Sequence, residues 1–346
     1  MKITIVNSLP EDKWRKYVDQ HPAGNIYHTP EMYQVFQQVK GYSPEVWAAL
    51  GDENAILALL LPVHISLSDG LLRALTTRTI VFGGVLVDST PDGGEALAQL
   101  LKSYKECANR GSLFTELRNL TSCADYQPIL NNAQFAYEDH LNYLIDLGRS
   151  TEEVFNRIGH RTQRNIRHGL NQSKVAIEEV KDRAMLYECY ELLAKTYRKA
   201  QVPLADRSLF EAAFDILKPK GMLMTTTALV GGSPAATSFD LLYKDTMVGW
   251  YGGMDRAYSS YVPNELLMWH VLRIGAEKGY RVYDFGGAGK PNEEYGVREF
   301  KAKFGGNLVC YGRNTWVPNS MLLSICKFGY GILRQIPSTG NVKDRG

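Results

Sequence analysis

One order of elements is written twice along the chain, and this repeat constrains the fold more than any other feature. In the first half a strand at 3–6 precedes helices at 11–20 and 30–39. Strands follow at 46–50, 55–65 and 74–82, then a helix at 94–109, a strand at 113–117, a helix at 123–131 and a strand at 137–146. In the second half a strand at 175–180 precedes helices at 183–200 and 208–217. Strands at 222–230, 235–242 and 246–251 follow, then a helix at 263–278, a strand at 282–285, a helix at 294–304 and a strand at 307–311. Apolar alternation, helical periodicity and glycine breaks set these assignments.

Local phrases keep the same register. Phe82-Gly83-Gly84 closes one three-strand run and Tyr251-Gly252-Gly253 the other. Ala108-Asn109-Arg110-Gly111 leads to Glu116, and Ala276-Glu277-Lys278-Gly279 leads to Asp284. Each glycine is expected to cap a helix and each acid to end the short strand that follows. The repeat predicts an α/β (α+β) chain of two tandem domains with mixed sheets and helices on their faces. A doubly wound dinucleotide fold, which alternates strand and helix throughout, does not fit. A length of 346 residues suits two cores. The expected division is 1–148 and 149–312, with 313–346 packing back on the first domain.

Composition removes several classes of function. Lys plus Arg is 39 against 37 Asp plus Glu, so a nucleic-acid-coating role and DNA binding are not expected. The five cysteines, at 107, 123, 189, 310 and 326, include no Cys-x-x-Cys pair, and the seven histidines have no metal spacing. No metal site is expected. No Gly-x-Ser-x-Gly, Walker A or Rossmann glycine pattern occurs. The most apolar stretch, 56–67, is too short to span a bilayer and contains Pro62 and His64. No signal peptide is visible, and a cytoplasmic location is expected. The apolar segment 321–333 is a candidate for peripheral membrane contact, or for a terminal helix docked on a core.

Several motifs occur in one order. They are Ile26-Tyr27-His28-Thr29-Pro30-Glu31, Phe82-Gly83-Gly84, Arg161-x-x-Arg164-Asn165-Ile166-Arg167, Trp250-Tyr251-Gly252-Gly253, Pro263-Asn264-Glu265, Tyr283-Asp284-Phe285-Gly286-Gly287 and Phe300-Lys301-Ala302-Lys303-Phe304-Gly305. Together they resemble the FemAB-like, or BioF2-like, branch of the GNAT acetyltransferase superfamily, over nearly the whole chain to about Tyr311. The resemblance implies two tandem GNAT-like domains. It also implies transfer of an acyl or aminoacyl group to an amine of a cell-envelope or polysaccharide precursor, with the cleft mainly in the second domain. The acyl donor is then charged tRNA or acyl-coenzyme A, and no cofactor is tightly bound. Two other readings stay open: a coenzyme A-dependent N-acetyltransferase acting on a small amine, and a non-catalytic binding protein. A monomer and a dimer are equally compatible.

Acyl transfer to an amine needs a neutral nucleophile, a held donor, a stabilised oxyanion and a route for a proton. By resemblance Lys301 meets the donor and the developing charge, with Phe300 beside it; from the residues alone it is a solvated lysine on a short helix. Tyr251 is placed to line the cleft, or to serve as a sheet-face residue. Asp284 takes a proton or positions the amine, or caps the glycine turn beside it. One helix at 152–170 is expected to carry a basic stripe of Arg157, Arg161, Arg164 and His168, with Arg167 nearby, suited to tRNA or phosphate. Arg198, at a helix end, and Asn264, at a helix start, complete the substrate-binding candidates. The turn 254–262 holds Arg256 but no Gly-x-Gly, and the turn 88–94 sets Gly93-Gly94 among two Asp. A pyrophosphate loop is therefore not expected in either half. Peptidoglycan-type relatives carry a Gln before the early helix and a Lys at its far end. Here His28-Thr29-Pro30 opens that helix and the first Lys is Lys40, so an amine on another envelope sugar or on a small molecule is an equal expectation.

Overall fold

The computed structural model describes residues 2–66, 73–108 and 111–326. The first half contains β1 (Thr4–Val6), α1 (Glu11–Gln20), α2 (Pro30–Gln37), β2 (Tyr42–Pro44), β3 (Trp47–Leu50), β4 (Ile56–Leu60), β5 (Val63–Ile65), α3 (Arg73–Thr76), β6 (Arg78–Gly83), β7 (Leu86–Val87), α4 (Pro91–Ala108), β8 (Thr115–Asn119), α5 (Gln127–Asn132), β9 (Ala136–Glu138) and β10 (Leu141–Asp146). The second contains α6 (Thr151–Arg157), α7 (His160–Gln172), β11 (Val175–Glu179), α8 (Arg183–Ala200), α9 (Arg207–Ile216), β12 (Leu223–Val230), β13 (Ser233–Tyr243), β14 (Thr246–Met254), α10 (Pro263–Glu277), β15 (Val282–Gly287), α11 (Gly296–Ala302), β16 (Asn307–Cys310) and β17 (Arg313–Trp316). The chain is thus mixed α/β with mixed sheets, in two halves of like order.

The second half builds one seven-stranded sheet, β11-β12-β13-β14-β15-β10-β16. The first half divides the same pattern between a four-stranded sheet, β1-β3-β4-β7, and a six-stranded sheet, β2-β5-β6-β8-β17-β9. The strand expected at 55–65 is broken at 61–62 on passing between these sheets; the strand expected at 74–82 starts only at Arg78, its first residues belonging to α3, and a second break at 84–85 separates β6 from β7 in the other sheet. At the second break Gly83 and Gly84 take left-handed φ values of +81° and +79°, which a side chain resists. Gly252 and Gly253 lie inside β14 instead. A Cβ on Gly253 would come within 3.0 Å of Thr196 Oγ1 and 3.1 Å of Leu193 on α8. The two Gly-Gly pairs match in sequence and differ in use.

Each half lends a strand to the other. β10 runs antiparallel between β15 and β16, and β17 runs antiparallel between β8 and β9. The strand expected at 137–146 is therefore two strands in two sheets. Burial explains the crossing of β10, because Leu141, Ile145 and the adjoining Leu147 are buried, the last two in the core of the second half. Trp316 on β17 is buried in the first-half core, its ring 6.2 Å from Phe135.

One further apolar core joins the halves. Met32, Phe36 and Ile80 of the first pack with Phe210, Phe239 and Leu241 of the second. Polar contacts edge it: Lys220 pairs with buried Glu31 at 2.9 Å, and Lys244 Nζ donates to the Val18 carbonyl at 2.8 Å. The helix expected at 152–170 is broken at Ile158-Gly159. There the Gly159 N–H donates to the Lys303 carbonyl (2.8 Å), and the Gln163 amide donates to the Ile158 carbonyl (2.6 Å). Capping is local elsewhere: Thr29 accepts from Met32 N with Pro30 at the first position of α2, and Ser150 with Glu153 forms a capping box on α6. Among the described residues no helix is long and apolar enough to cross a membrane. Of the apolar segment 321–333, Met321 and Ile325 are exposed, and 327–333 lie outside the described residues.

Candidate functional site

The site is built where β14 and β15 part. They pair in parallel through Thr246↔Val282, Met247↔Tyr283 and Val248↔Asp284 only. β14 then continues to Met254 against β13 alone, with a bulge at Trp250 between the Asp240↔Gly249 and Phe239↔Tyr251 pairs. A bulge bends and twists its strand away from a neighbour. On the other side Gly286 turns β15 with a φ of +69°. Beyond Val248 the β14 edge facing β15 has no partner strand among the described residues.

Asp284 stands at the apex of this opening, inside β15 rather than at its end, and is 3% exposed. Its carboxylate accepts from the Gly286 N–H (2.7 Å) and from the Asn142 amide of β10 (3.3 Å). Burial pushes its pKa up to about 6; the Gly286 bond, the Lys301 charge and the Asn142 bond oppose this. Lys301 on α11 is also buried. Its ammonium donates to the carbonyls of Phe285 (2.6 Å), Gly286 (3.2 Å) and Gly287 (2.8 Å). Burial lowers its pKa to about 8 against the pull of Asp284.

That geometry revises the expectation for Lys301. An ammonium has three N–H donors, and all three are spent on β15, so the side chain clamps the glycine turn instead of reaching outward. Phe300 is half-buried, with its ring 5.2 Å from Phe304.

Tyr251 packs in an aromatic wall, 4.8 Å from Phe210, 5.1 Å from Trp250 and 6.0 Å from Tyr197. Burial, then the nearby hydroxyls of Tyr42, Tyr197 and Tyr27, push its pKa well up. Tyr27 and Tyr42 come from the first half and pack with Tyr251 against the core that joins the halves. Tyr27 is also pushed up, by burial and by Asp284. Among the described residues no hydrogen bond is formed by the hydroxyls of Tyr27, Tyr197 or Tyr251, and none of the three is a fully enclosed, unsatisfied atom. With pKa values pushed up by burial, all three hydroxyls are neutral.

The basic candidates are elsewhere. The expected single stripe is split, with Arg157 on α6 and Arg161, Arg164 and His168 on α7. Arg161, Arg164, Arg167 and Arg198 are exposed and make no hydrogen bond or ion pair with Asp284, Lys301 or Tyr251. The Arg167 guanidinium lies 4.9 Å from the Phe155 ring. Asn264 is half-buried in the first turn of α10. The turn before it forms a short 3-10 helix, Arg256–Tyr261, capped by Asp255, which pairs with Lys195 at 2.5 Å. Sequence reasoning missed Asn142, which reaches Asp284 only because β10 crosses between sheets, and gave no site role to Tyr27.

Residues 158–301 match the family model described as an acetyltransferase (GNAT) domain. The chain has a GNAT fold, similar over its length to that of FemX. The crystal structure of FemX superimposes with a TM-score of 0.71 at 15% identity, covering 94% of this chain and 99% of that one. The C-terminal domain of a putative lysylphosphatidylglycerol synthetase from Agrobacterium fabrum superimposes at 0.58 and 12% identity, covering 93% and 95%. A tandem GNAT protein from the clavulanic acid biosynthesis pathway superimposes at 0.57 and 10%, covering 92% and 99%. No curated protein matches the sequence. At these identities the likeness is one of fold, and the parted β14 and β15 lie within the matched GNAT segment.

Proposed function

We propose that this chain transfers an acyl or aminoacyl group to an amine by direct attack at the opening between β14 and β15. The observation that carries this reading is a buried carboxylate, Asp284, at the apex of an unpaired strand edge. With its pKa near 6 Asp284 is ionised at neutral pH yet basic enough to take a proton from the attacking amine. The C–N bond forms as that proton moves to Asp284. The acyl oxygen gains negative charge and accepts hydrogen bonds from free N–H groups of the β14 edge and from the neutral Tyr251 hydroxyl. Collapse breaks the bond to the donor, whose leaving oxygen or sulfur takes a proton from solvent, and Asp284 gives its proton back to solvent. Lys301 is a positioning residue that holds Phe285 to Gly287 in place.

Charged tRNA is the favoured donor. The segment where a pyrophosphate loop would sit is a 3-10 helix capped by an acid, with Pro263 at the first position of α10. These groups leave few N–H donors for a pyrophosphate. Acyl-coenzyme A is the second reading, favoured by the description of the matching family model. An envelope or polysaccharide amine as acceptor draws on the likeness to FemX and the lysylphosphatidylglycerol synthetase domain, and a cytoplasmic location is part of the same proposal. The test is transfer of labelled acyl groups from charged tRNA and from acetyl-coenzyme A to a panel of amines. Transfer that falls at least 100-fold in Asp284→Asn supports the reading. Full activity in that variant, or no transfer from either donor, overturns it.

A further inference from the structure

The face of the six-stranded sheet that meets the second half carries an unbalanced pair of arginines. Across β6, β8, β17 and β9 one row reads Phe82, Arg118, Arg313, Glu138. Two like charges directly opposite on antiparallel strands repel. A single carboxylate, Glu116, holds both: it accepts from Arg118 Nε at 2.7 Å and from Arg313 Nη1 at 3.2 Å. Glu138 is drawn away to Lys290 at 2.5 Å. The His140 ring nitrogen faces Arg313 Nη2 at 2.9 Å and so accepts from it, as a neutral imidazole. The wall therefore keeps excess positive charge.

The free end of that charge is defined. Arg118 Nη1 and Nη2 have no partner among the described residues, and the side chain is 37% exposed. Its Nε is fixed by Glu116, and the guanidinium lies 5.5 Å from the Phe82 ring centroid. A guanidinium held at one edge and open at the other is prepared for bidentate binding of a carboxylate or phosphate. The wall also meets the strand that carries Asp284. A Cβ on Gly287 would lie 2.8 Å from His140 Nε2 and 3.8 Å from Arg313 Nη2. Tyr27, stacked on Phe82 at 5.5 Å, lies in the fields of both Asp284 and Arg118.

We propose that Arg118, backed by Arg313 and Glu116, binds a carboxylate or phosphate on the amine acceptor, across the cleft from Asp284. The acceptor class is then a short amine bearing an anionic group. This rests on the transfer reading for the role of the amine, and its test does not use turnover. Ligand-observed NMR titration of the full chain would compare 4-aminobutyrate, phosphoethanolamine and butylamine at fixed ionic strength. Saturable binding of an anionic probe, at least tenfold tighter than butylamine and lost in Arg118→Gln, is the expected result; the tighter of the two anionic probes names the group. Arg118→Lys keeps the charge and loses the fork, and its affinity falls between. Equal binding of butylamine, no binding of either anionic probe, or unchanged affinity in a folded Arg118→Gln overturns the proposal. A chain that binds the anions through Arg118 and transfers nothing sinks the function and leaves this site standing.

Discussion

Lys301 and Asp284 share one buried pocket without forming an ion pair. The ammonium is bonded to the carbonyls of Phe285, Gly286 and Gly287, and the carboxylate to Gly286 N and Asn142. Each is displaced toward neutrality, Asp284 up to about 6 and Lys301 down to about 8. Their mutual attraction opposes both shifts and does not cancel the loss of water around them.

The pH dependence of transfer follows from this pair. The rate is expected to fall as pH drops through about 6, where Asp284 takes a proton and ceases to be a base. Stability runs the other way over that range. A carboxylate with a raised folded pKa binds its proton more tightly in the native state, so its contribution is greatest below the ordinary range near 3.8 and is lost as pH rises to about 6. The same rule makes stability rise from about pH 8 towards 10.5, where the unfolded chain holds the lysine proton longer. A kcat/KM profile and urea titrations from pH 4 to 10 check both; beyond the limb set by the amine's own protonation, an inflection near pH 6 that persists in Asp284→Asn rules out this assignment.

Lys301→Met leaves three carbonyls at the end of β15 without their donor. We expect a loss of about 2–4 kcal/mol in urea denaturation together with a lower rate. A lysine serving only the donor would give a different pattern, with stability unchanged and the donor KM raised.

Gly249→Ala places a Cβ 2.6 Å from Tyr283 Oη, whose hydroxyl donates to buried Asp240 at 2.8 Å. Either that hydrogen bond breaks or β14 shifts at the point where it leaves β15. The expected cost is about 1–3 kcal/mol, with transfer falling more than stability alone explains at a temperature where the variant is fully folded. Thermal melts paired with initial rates measure the two separately.

Strand exchange makes the halves one cooperative unit. Removing 313–346 takes β17 from between β8 and β9, and we expect the product not to fold. The milder Trp316→Ala is expected to cost about 3–5 kcal/mol while leaving a single unfolding transition. Two separated transitions in calorimetry of the full chain would falsify this coupling.

The exposed arginines of α7 give a test of donor. Arg161→Glu with Arg164→Glu changes no buried contact, so stability should move by less than about 0.5 kcal/mol. With charged tRNA as donor, its KM is expected to rise at least tenfold and its salt dependence to weaken. An unchanged KM for charged tRNA removes these residues from the donor path.

Local pattern alone determined most of the elements. α1 at Glu11–Gln20 and α8 at Arg183–Ala200 have the bounds their periodicity and flanking residues predict, because helix ends are set by nearby caps and breaks. The paired phrases around Glu116 and Asp284 exposed the repeat for the same reason. What a side chain meets across the fold is another matter. The helix expected at 152–170 breaks because Lys303, far along the chain, offers a carbonyl to Gly159. Asn142 reaches Asp284, and Arg313 faces Arg118, only because β10 and β17 each insert into the other half's sheet. Periodicity marks a strand without naming its neighbours, since pairing depends on which buried faces fit together at long range. Sequence by itself therefore determined the order of elements and the repeated acid. The tertiary structure alone decided that Lys301 turns inward, that β14 and β15 part, and that Tyr27 and Tyr42 of the first half pack with Tyr251, because burial and strand exchange bring together residues far apart in the chain.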